Sequence, residues 1–187
     1  MINVKIHIPI FLAFTVISLS LNSYEVLAHD IPPVLVKQDF TVQLKDRTVS
    51  LGERWTDDVA RKFELPIEGH FVGEVPFDET HYKFYQHQKA GFGIYVSNLW
   101  WDKAERSIDE YIVSQITLTA GEGKTPRGIH VGSSAGELSR AYGHGQIEND
   151  AGEQWCFYQL GNRLLSFEIK DDKVVTITMN YDNGVRE

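Results

Sequence analysis

The fold is decided by one stretch of sequence, TPRGIHVGSSAGELSRAYG at residues 125–143, which leads into WCFYQLGNRLLSFEIKDDKVVTITM at residues 155–179. A short extended segment ends at a glycine, which allows a tight turn, and an amphipathic helix follows with Leu138 and Tyr142 on one face. Three β-rich segments come after the helix, at residues 155–160, 163–169 and 174–180. Turn residues join these segments, so the stretch predicts a helix laid on an antiparallel meander.

The first half of the chain repeats this pattern. The matched blocks keep their order along the chain: 49–52 with 129–132, 82–86 with 155–159, 92–96 with 165–169, and 113–118 with 174–179. The two middle blocks share one offset of 73 residues. We interpret the collinear matches as an internal duplication.

The duplication predicts an α+β fold in which two tandem helix-plus-meander units form one extended sheet with the helices on one face. The expected organisation is a signal peptide at 1–28, an N-terminal extension at 29–44, a first unit at 45–119, a linker at 120–128 and a second unit at 129–187.

These tandem units, together with the sequences of residues 125–143 and 155–179, resemble the β-lactamase-inhibitory-protein-like fold. Its single-unit relatives include the small lipoprotein of the outer-membrane assembly machinery. Members are binding proteins that use the open sheet face and its loops, and the resemblance implies the same mode of binding here. It covers the second unit clearly and the first more loosely.

The N-terminus is typical of a cleavable secretory signal. Lys5 precedes the apolar run 8–21, and Val26-Leu27-Ala28 favours cleavage before His29. The apolar run is shorter than the roughly 20 residues that a membrane-spanning helix needs, which disfavours the alternative of an uncleaved anchor. We therefore expect a periplasmic or secreted protein without a stable membrane anchor.

Charge and cysteine content limit the partners. The net charge of −8 disfavours nucleic acid and anionic membranes as targets, and it suits a basic protein partner. The single cysteine, Cys156, cannot form an intramolecular disulfide and is interpreted as a small buried residue. The oligomeric state is left open.

Two motifs resemble catalytic or cofactor sites. Gly132–Gly136 fits G-x-S-x-G, but the only downstream histidine is His144 and no aspartate intervenes, so Ser134 is interpreted as a helix cap. Gly123-Lys124-Thr125 is similar to the end of a phosphate-binding loop, but Leu118 replaces the required glycine. We expect no enzyme activity, no cofactor and no metal.

Candidate partner-binding residues alternate along one predicted strand. His81, Tyr85 and His87 share a face, with Tyr158 as the counterpart of Tyr85 in the second unit. The two histidines are too far apart to hold one metal ion. The face is either an ordinary exposed sheet face or a surface that binds a partner.

An insertion of twelve residues in the first unit carries Trp100, Trp101 and Asp102. Adjacent residues of a strand point to opposite faces, so at least one indole is expected at the surface, where tryptophan favours binding. The alternative is that Trp100 or Trp101 covers the core beneath the insertion. The acidic neighbours suit a basic target.

The sequence therefore predicts an exported, non-enzymatic protein that occludes or inhibits another protein, such as an enzyme inhibitor or a toxin immunity protein. One alternative is a component of cell-envelope assembly or a scaffold. A second alternative is a small serine hydrolase that uses Ser134.

Overall fold

Strands dominate the computed structural model, which describes residues 33–77, 80–99, 107–150 and 152–182. About 52% of the described residues are in strands and 13% are in helices, with eleven strands in two antiparallel sheets. The strands, in chain order, are β1 (Thr41–Leu44), β2 (Arg47–Ser50), β3 (His70–Phe77), β4 (Thr80–Lys89), β5 (Phe92–Ser97), β6 (Ile112–Leu118), β7 (Gly123–Lys124), β8 (Gln146–Asp150), β9 (Glu153–Leu160), β10 (Arg163–Lys170) and β11 (Lys173–Tyr181).

The expected α+β fold class is wrong, because the helices are too short to form a layer. Of the described residues, α1 (Asp57–Lys62) has six residues and α2 (Ala135–Tyr142) has eight, about two turns each. A 3-10 turn at Lys37–Phe40 is the other helical element. Part of the core is covered by a second sheet that the sequence analysis did not anticipate.

The larger sheet has eight strands in the order β3-β4-β5-β6-β11-β10-β9-β8, all antiparallel to their neighbours. Two four-stranded meanders therefore meet side by side where β6 pairs with β11. The smaller sheet has the order β2-β1-β7. Segment 120–128 contributes β7 to it, and Thr125 in this segment is buried.

Two-residue turns close the corresponding hairpins, at Ala90-Gly91 between β4 and β5 and at Gly161-Asn162 between β9 and β10. Gly91 and Gly161 have φ angles of 74° and 58°, which non-glycine residues rarely adopt. The turns are 71 residues apart, two fewer than the offset in the sequence match. A difference of two residues leaves every side chain on the same face of the sheet.

One face of the large sheet forms the core. Its buried side chains include Ile94, Ile116, Leu118, Leu165, Phe167, Ile177 and Met179, each at most 1% exposed. They belong to one cluster with Phe63 beyond α1, Leu138 of α2 and Val42 of the small sheet. The helices and the small sheet therefore cover the same face of the large sheet, which we call the closed face.

A buried ion pair fastens the N-terminal segment to α2. The Arg127 guanidinium donates to both Asp39 carboxylate oxygens at 2.6 Å and to the Ala141 carbonyl oxygen at 3.0 Å. The Arg127 guanidinium also lies 4.7 Å from the centre of the Tyr142 ring. The Asp39 side chain is only 3% exposed, so its negative charge depends on this arginine.

The described residues all belong to one unit, Pro32–Glu187. Within them no helix is long and apolar enough to cross a membrane. The predicted signal peptide, residues 1–28, lies outside the described residues.

Candidate binding face

The second face of the large sheet, which we call the open face, carries the candidate site. Antiparallel neighbours point to the same side, so the register identifies its residues: Gln86 pairs with Tyr95, Tyr95 with Gln115, and Gln115 with Asn180. These four side chains are half-buried, although they lie on central strands. Among the described residues, the helices and the small sheet pack on the closed face instead.

A concave groove of about 430 Å³ lies on the open face. Residues of β3, β4, β5, β6 and β11 line it, so the sheet curves enough to bring an edge strand and a central strand around one cavity. Its walls include Val72, Val75, Phe84, Tyr95, Gln115 and Asn180. The described lining is aromatic, apolar and amide-bearing, and within it Glu74 at the edge is the one charged residue.

Hydrogen bonds hold the polar walls of the groove in place. Gln86 Nε2 donates to the Tyr95 hydroxyl at 2.9 Å, and Ser114 Oγ donates to the Tyr95 carbonyl oxygen at 3.0 Å. Asn180 Nδ2 donates to the Tyr181 carbonyl oxygen at 3.0 Å. Because the Tyr95 oxygen accepts a bond, its own proton can be donated to a ligand. The groove therefore suits a neutral hydrogen-bonding surface such as polypeptide backbone and aromatic side chains.

The residues predicted from β4 are mostly on the closed face. Tyr85 is half-buried, and its ring lies 5.5 Å from Phe71 and 5.7 Å from Tyr111. Burial raises the pKa of the Tyr111 hydroxyl, and the neighbouring Tyr85 adds to the effect. Tyr85 thus supports a cluster of rings at one end of the core.

His87 is buried at 3% exposure and is not available to a partner. Its Nδ1 is 2.7 Å from the Pro66 carbonyl oxygen, and its ring centre is 4.4 Å from that of Trp55. Burial lowers the pKa of His87, because the charged imidazolium would lose its hydration. The ring is therefore a neutral core residue that donates from Nδ1 to Pro66.

Tyr158 is also buried on the closed face. Its hydroxyl donates to the Gly143 carbonyl oxygen at 2.9 Å just beyond α2, and burial raises the pKa of the hydroxyl. The structure therefore places Tyr158 and His87, which the sequence predicts to bind a partner, among the buried side chains of the closed face. The physical reason is that side chains alternate between the two faces of a strand. His87 and Tyr158 therefore lie on the same face of the sheet as their cross-strand neighbours Ile94 and Leu165.

Of the remaining candidates, His81 is exposed near the start of β4, with its Nδ1 3.3 Å from Glu74 Oε1. It does not adjoin His87, and none of the other predicted site residues that the structure describes lies beside it. Trp100, Trp101 and Asp102 lie outside the described residues.

Sequence reasoning missed Phe84, Tyr95, Trp155 and Phe157, which lie on the open face and are half-buried. The signal was present in β9, EQWCFYQL, where Trp155 and Phe157 alternate with Cys156 and Tyr158. Both sets contain aromatic residues, so hydrophobic periodicity did not distinguish the outer set from the inner one.

Ser134 caps α2 as predicted. Its Oγ accepts from the Glu137 backbone N–H at 3.2 Å, and the Glu137 carboxylate accepts from the Ser134 backbone N–H at 2.7 Å. This bonding lowers the pKa of Glu137. The part of the chain that the structure describes contains no group of three metal-binding side chains.

Comparison with known proteins does not assign the chain to a family. No family model matches the chain, and no curated protein matches it. A solved structure of a DUF4309 family protein, YjgB from Bacillus subtilis subsp. subtilis str. 168, is similar over 68% of this chain and 78% of its own. The identity is 19% and the TM-score is 0.36.

Proposed function

We propose that the chain is an exported, non-enzymatic binding protein whose open face occludes another protein, as an enzyme inhibitor or a toxin immunity protein does. The observation that carries this proposal is the concave groove of about 430 Å³ on the open face. A concave sheet surface with half-buried aromatic side chains in its lining is typical of a surface that a partner covers.

The chemistry of the groove supports a protein as the ligand. Phe84 and Tyr95 offer large apolar surface with few rotatable bonds, and Gln115 and Asn180 offer amide groups that pair with a polypeptide backbone. The net charge of −8 favours encounter with a basic partner. The role of Ser134 in capping α2 accounts for the G-x-S-x-G motif without a hydrolase activity.

The test begins with capture. The immobilised mature chain is exposed to an envelope extract of the source organism, and the captured protein is identified, purified and titrated against the chain. We expect saturable one-to-one binding that weakens at least tenfold in Tyr95→Ala and Asn180→Ala. Asn149→Ala, at an exposed position on the edge strand β8, is the matched control and should bind as the wild type does.

Trp100→Ala and Trp101→Ala test the predicted contact outside the described residues, and each is expected to weaken the same complex. Capture of no protein, or a complex that none of these variants weakens, would contradict the proposal. Recovery of outer-membrane assembly complexes would replace it with the scaffold alternative. Labelling of Ser134 by a serine-reactive phosphonate would replace it with the hydrolase alternative.

The predicted export of the chain is tested by a separate measurement. The intact mass of the chain recovered from the source organism should correspond to a mature N-terminus at His29. A product that still begins at Met1 would contradict cleavage of the signal peptide.

A further inference from the structure

An aromatic stack lies on the open face at the opposite end of the sheet from β3. The Trp155 and Phe157 rings of β9 are 6.3 Å apart, with an angle of 19° between their planes. Both side chains are half-buried. The stack therefore lies partly exposed on the open face.

Carboxylates surround this stack. In the sheet register, Trp155 pairs with Glu148 on one side and with Glu168 on the other, so the indole lies in a row between two acidic side chains. Glu153 accepts a hydrogen bond from Trp155 Nε1 at 3.3 Å. We call these five residues, Glu148, Glu153, Trp155, Phe157 and Glu168, the aromatic–acidic patch.

Two of these carboxylates accept further hydrogen bonds. Thr176 Oγ1 donates to Glu168 Oε2 at 2.6 Å, and Gln146 Nε2 donates to Glu148 Oε1 at 2.8 Å. Glu148 and Glu168 are two strands apart, about 10 Å across the sheet. That separation is too wide for one metal ion to bind both carboxylates. It is wide enough for the Trp155 indole to lie between them with a cationic side chain above the ring.

The protein contains an occupied example of this arrangement elsewhere. The Arg127 guanidinium lies 4.7 Å from the Tyr142 ring centre while it donates to the Asp39 carboxylate. A ring face and a carboxylate there hold one cation together, since the ring quadrupole and the negative charge both attract it. Within the described residues, no lysine or arginine forms an ion pair with Glu153 or Glu168.

We propose that the aromatic–acidic patch binds an arginine or lysine side chain of a basic segment in the partner protein. The inference rests on the proposed function, because it takes the open face to be the binding surface, and it names the partner's chemistry. The aromatic ring provides the contact area, and the carboxylates select the positive charge. The neutral groove near β3 then contacts an uncharged part of the same partner.

The probe is a tetra-arginine amide peptide, and its control is the tetra-citrulline peptide, which has nearly the same shape without the charge. Binding is followed by NMR through the indole N–H signal of Trp155 in the full mature chain, assigned with Trp155→Phe. We expect a saturable shift of this signal with tetra-arginine and none with tetra-citrulline.

Charge variants show whether the effect is local. Glu153→Gln and Glu168→Gln should each weaken tetra-arginine binding at least fivefold. Glu122→Gln removes the same charge from an exposed turn distant from the patch and should weaken it less than twofold. All three positions are at the surface or half-buried, and the retained dispersion of the NMR spectrum checks that each variant is folded.

Three results would overturn the inference: an equal shift with tetra-citrulline, equal weakening by Glu122→Gln, or no shift with either peptide. Its failure is distinguishable from failure of the proposed function. If the captured partner loses affinity with Tyr95→Ala but not with Glu153→Gln and Glu168→Gln, the open face binds and the patch does not. If no partner is captured, the peptide result still decides whether the patch binds cations.

Discussion

The two faces of β9 contrast in what their aromatic residues do. Tyr158 points to the closed face, where it is buried and donates to the Gly143 carbonyl oxygen. Trp155 and Phe157 point to the open face and stack at the surface. Aromatic residues that are adjacent in sequence therefore stabilise the fold on one side and lie partly exposed on the other.

This contrast extends across the sheet. The closed face is covered by α1, α2 and the small sheet, so its side chains stabilise the fold by being buried. The open face combines a neutral groove near β3 with the aromatic–acidic patch near β8. Substitutions on the closed face should therefore change stability, and substitutions on the open face should change binding.

The largest expected difference comes from two phenylalanines on opposite faces. Phe167→Ala removes a fully buried ring and should lower the free energy of unfolding by about 3–5 kcal/mol. Phe157→Ala removes a half-buried ring stacked on Trp155 and should cost about 1 kcal/mol. Urea unfolding followed by circular dichroism measures both. Equal losses from the two variants would contradict the distinction between the faces.

Breaking the buried ion pair should have the next largest effect. Arg127→Met leaves the Asp39 carboxylate buried without its cation and should cost about 3 kcal/mol, at the lower end for a broken buried pair. Arg61→Met is the control, because Arg61 pairs with Asp57 and Asp58 at the surface and should cost under about 1 kcal/mol. A loss from Arg127→Met no greater than that from Arg61→Met would show that the pair does not hold the N-terminal segment to α2.

Removing a single hydroxyl makes the comparison sharper. Tyr158→Phe leaves the part-buried Gly143 carbonyl oxygen without its donor and should cost about 1 kcal/mol. Tyr95→Phe on the open face should cost only a few tenths of a kcal/mol, because water replaces the lost bond. Thermal unfolding of both variants against the wild type measures the difference. A larger loss from Tyr95→Phe would reverse the assignment of the two faces.

The pH dependence of stability should locate His87 on the closed face. Burial lowers the pKa of His87 below its usual value of 6.5, so the unfolded chain takes up this proton more readily than the folded protein does. The stability that depends on neutral His87 is therefore complete above pH 6.5 and is lost as the pH falls below it. Urea unfolding from pH 8 to pH 5 should show this fall.

The matched variants are His87→Gln, which should flatten the fall between pH 7 and pH 5, and His144→Gln at an exposed position, which should preserve it. An unchanged slope in His87→Gln would mean that the ring is hydrated in the folded protein.

Strands and turns could be predicted from the sequence, but the face of the sheet on which each side chain lies and the pairing of distant segments could not. The predicted segments 155–160 and 174–180 correspond closely to β9 and β11, and α2 begins at the expected cap. Local periodicity and turn residues carry that information.

The small sheet and the ion pair between Asp39 and Arg127 were missed, because both join residues far apart in the chain. The α+β fold class was wrong, because the two helices have only six and eight residues and a second sheet covers part of the core. The candidate residues Tyr85, His87 and Tyr158 lie on the closed face. Because aromatic residues occur on both faces of these strands, the sequence did not show which face is buried. The duplication and its domain boundaries stay predictions.

The central claim is that the open face is the surface that binds a partner, and site-specific photocrosslinking tests it most directly. A benzophenone amino acid replaces Tyr95 in the groove, and the same group replaces Val34, which is 76% exposed in the N-terminal segment. After irradiation with the native envelope extract, the account predicts one discrete crosslinked protein from position 95 and none from position 34. No crosslink from position 95, or the same product from both positions, would contradict it.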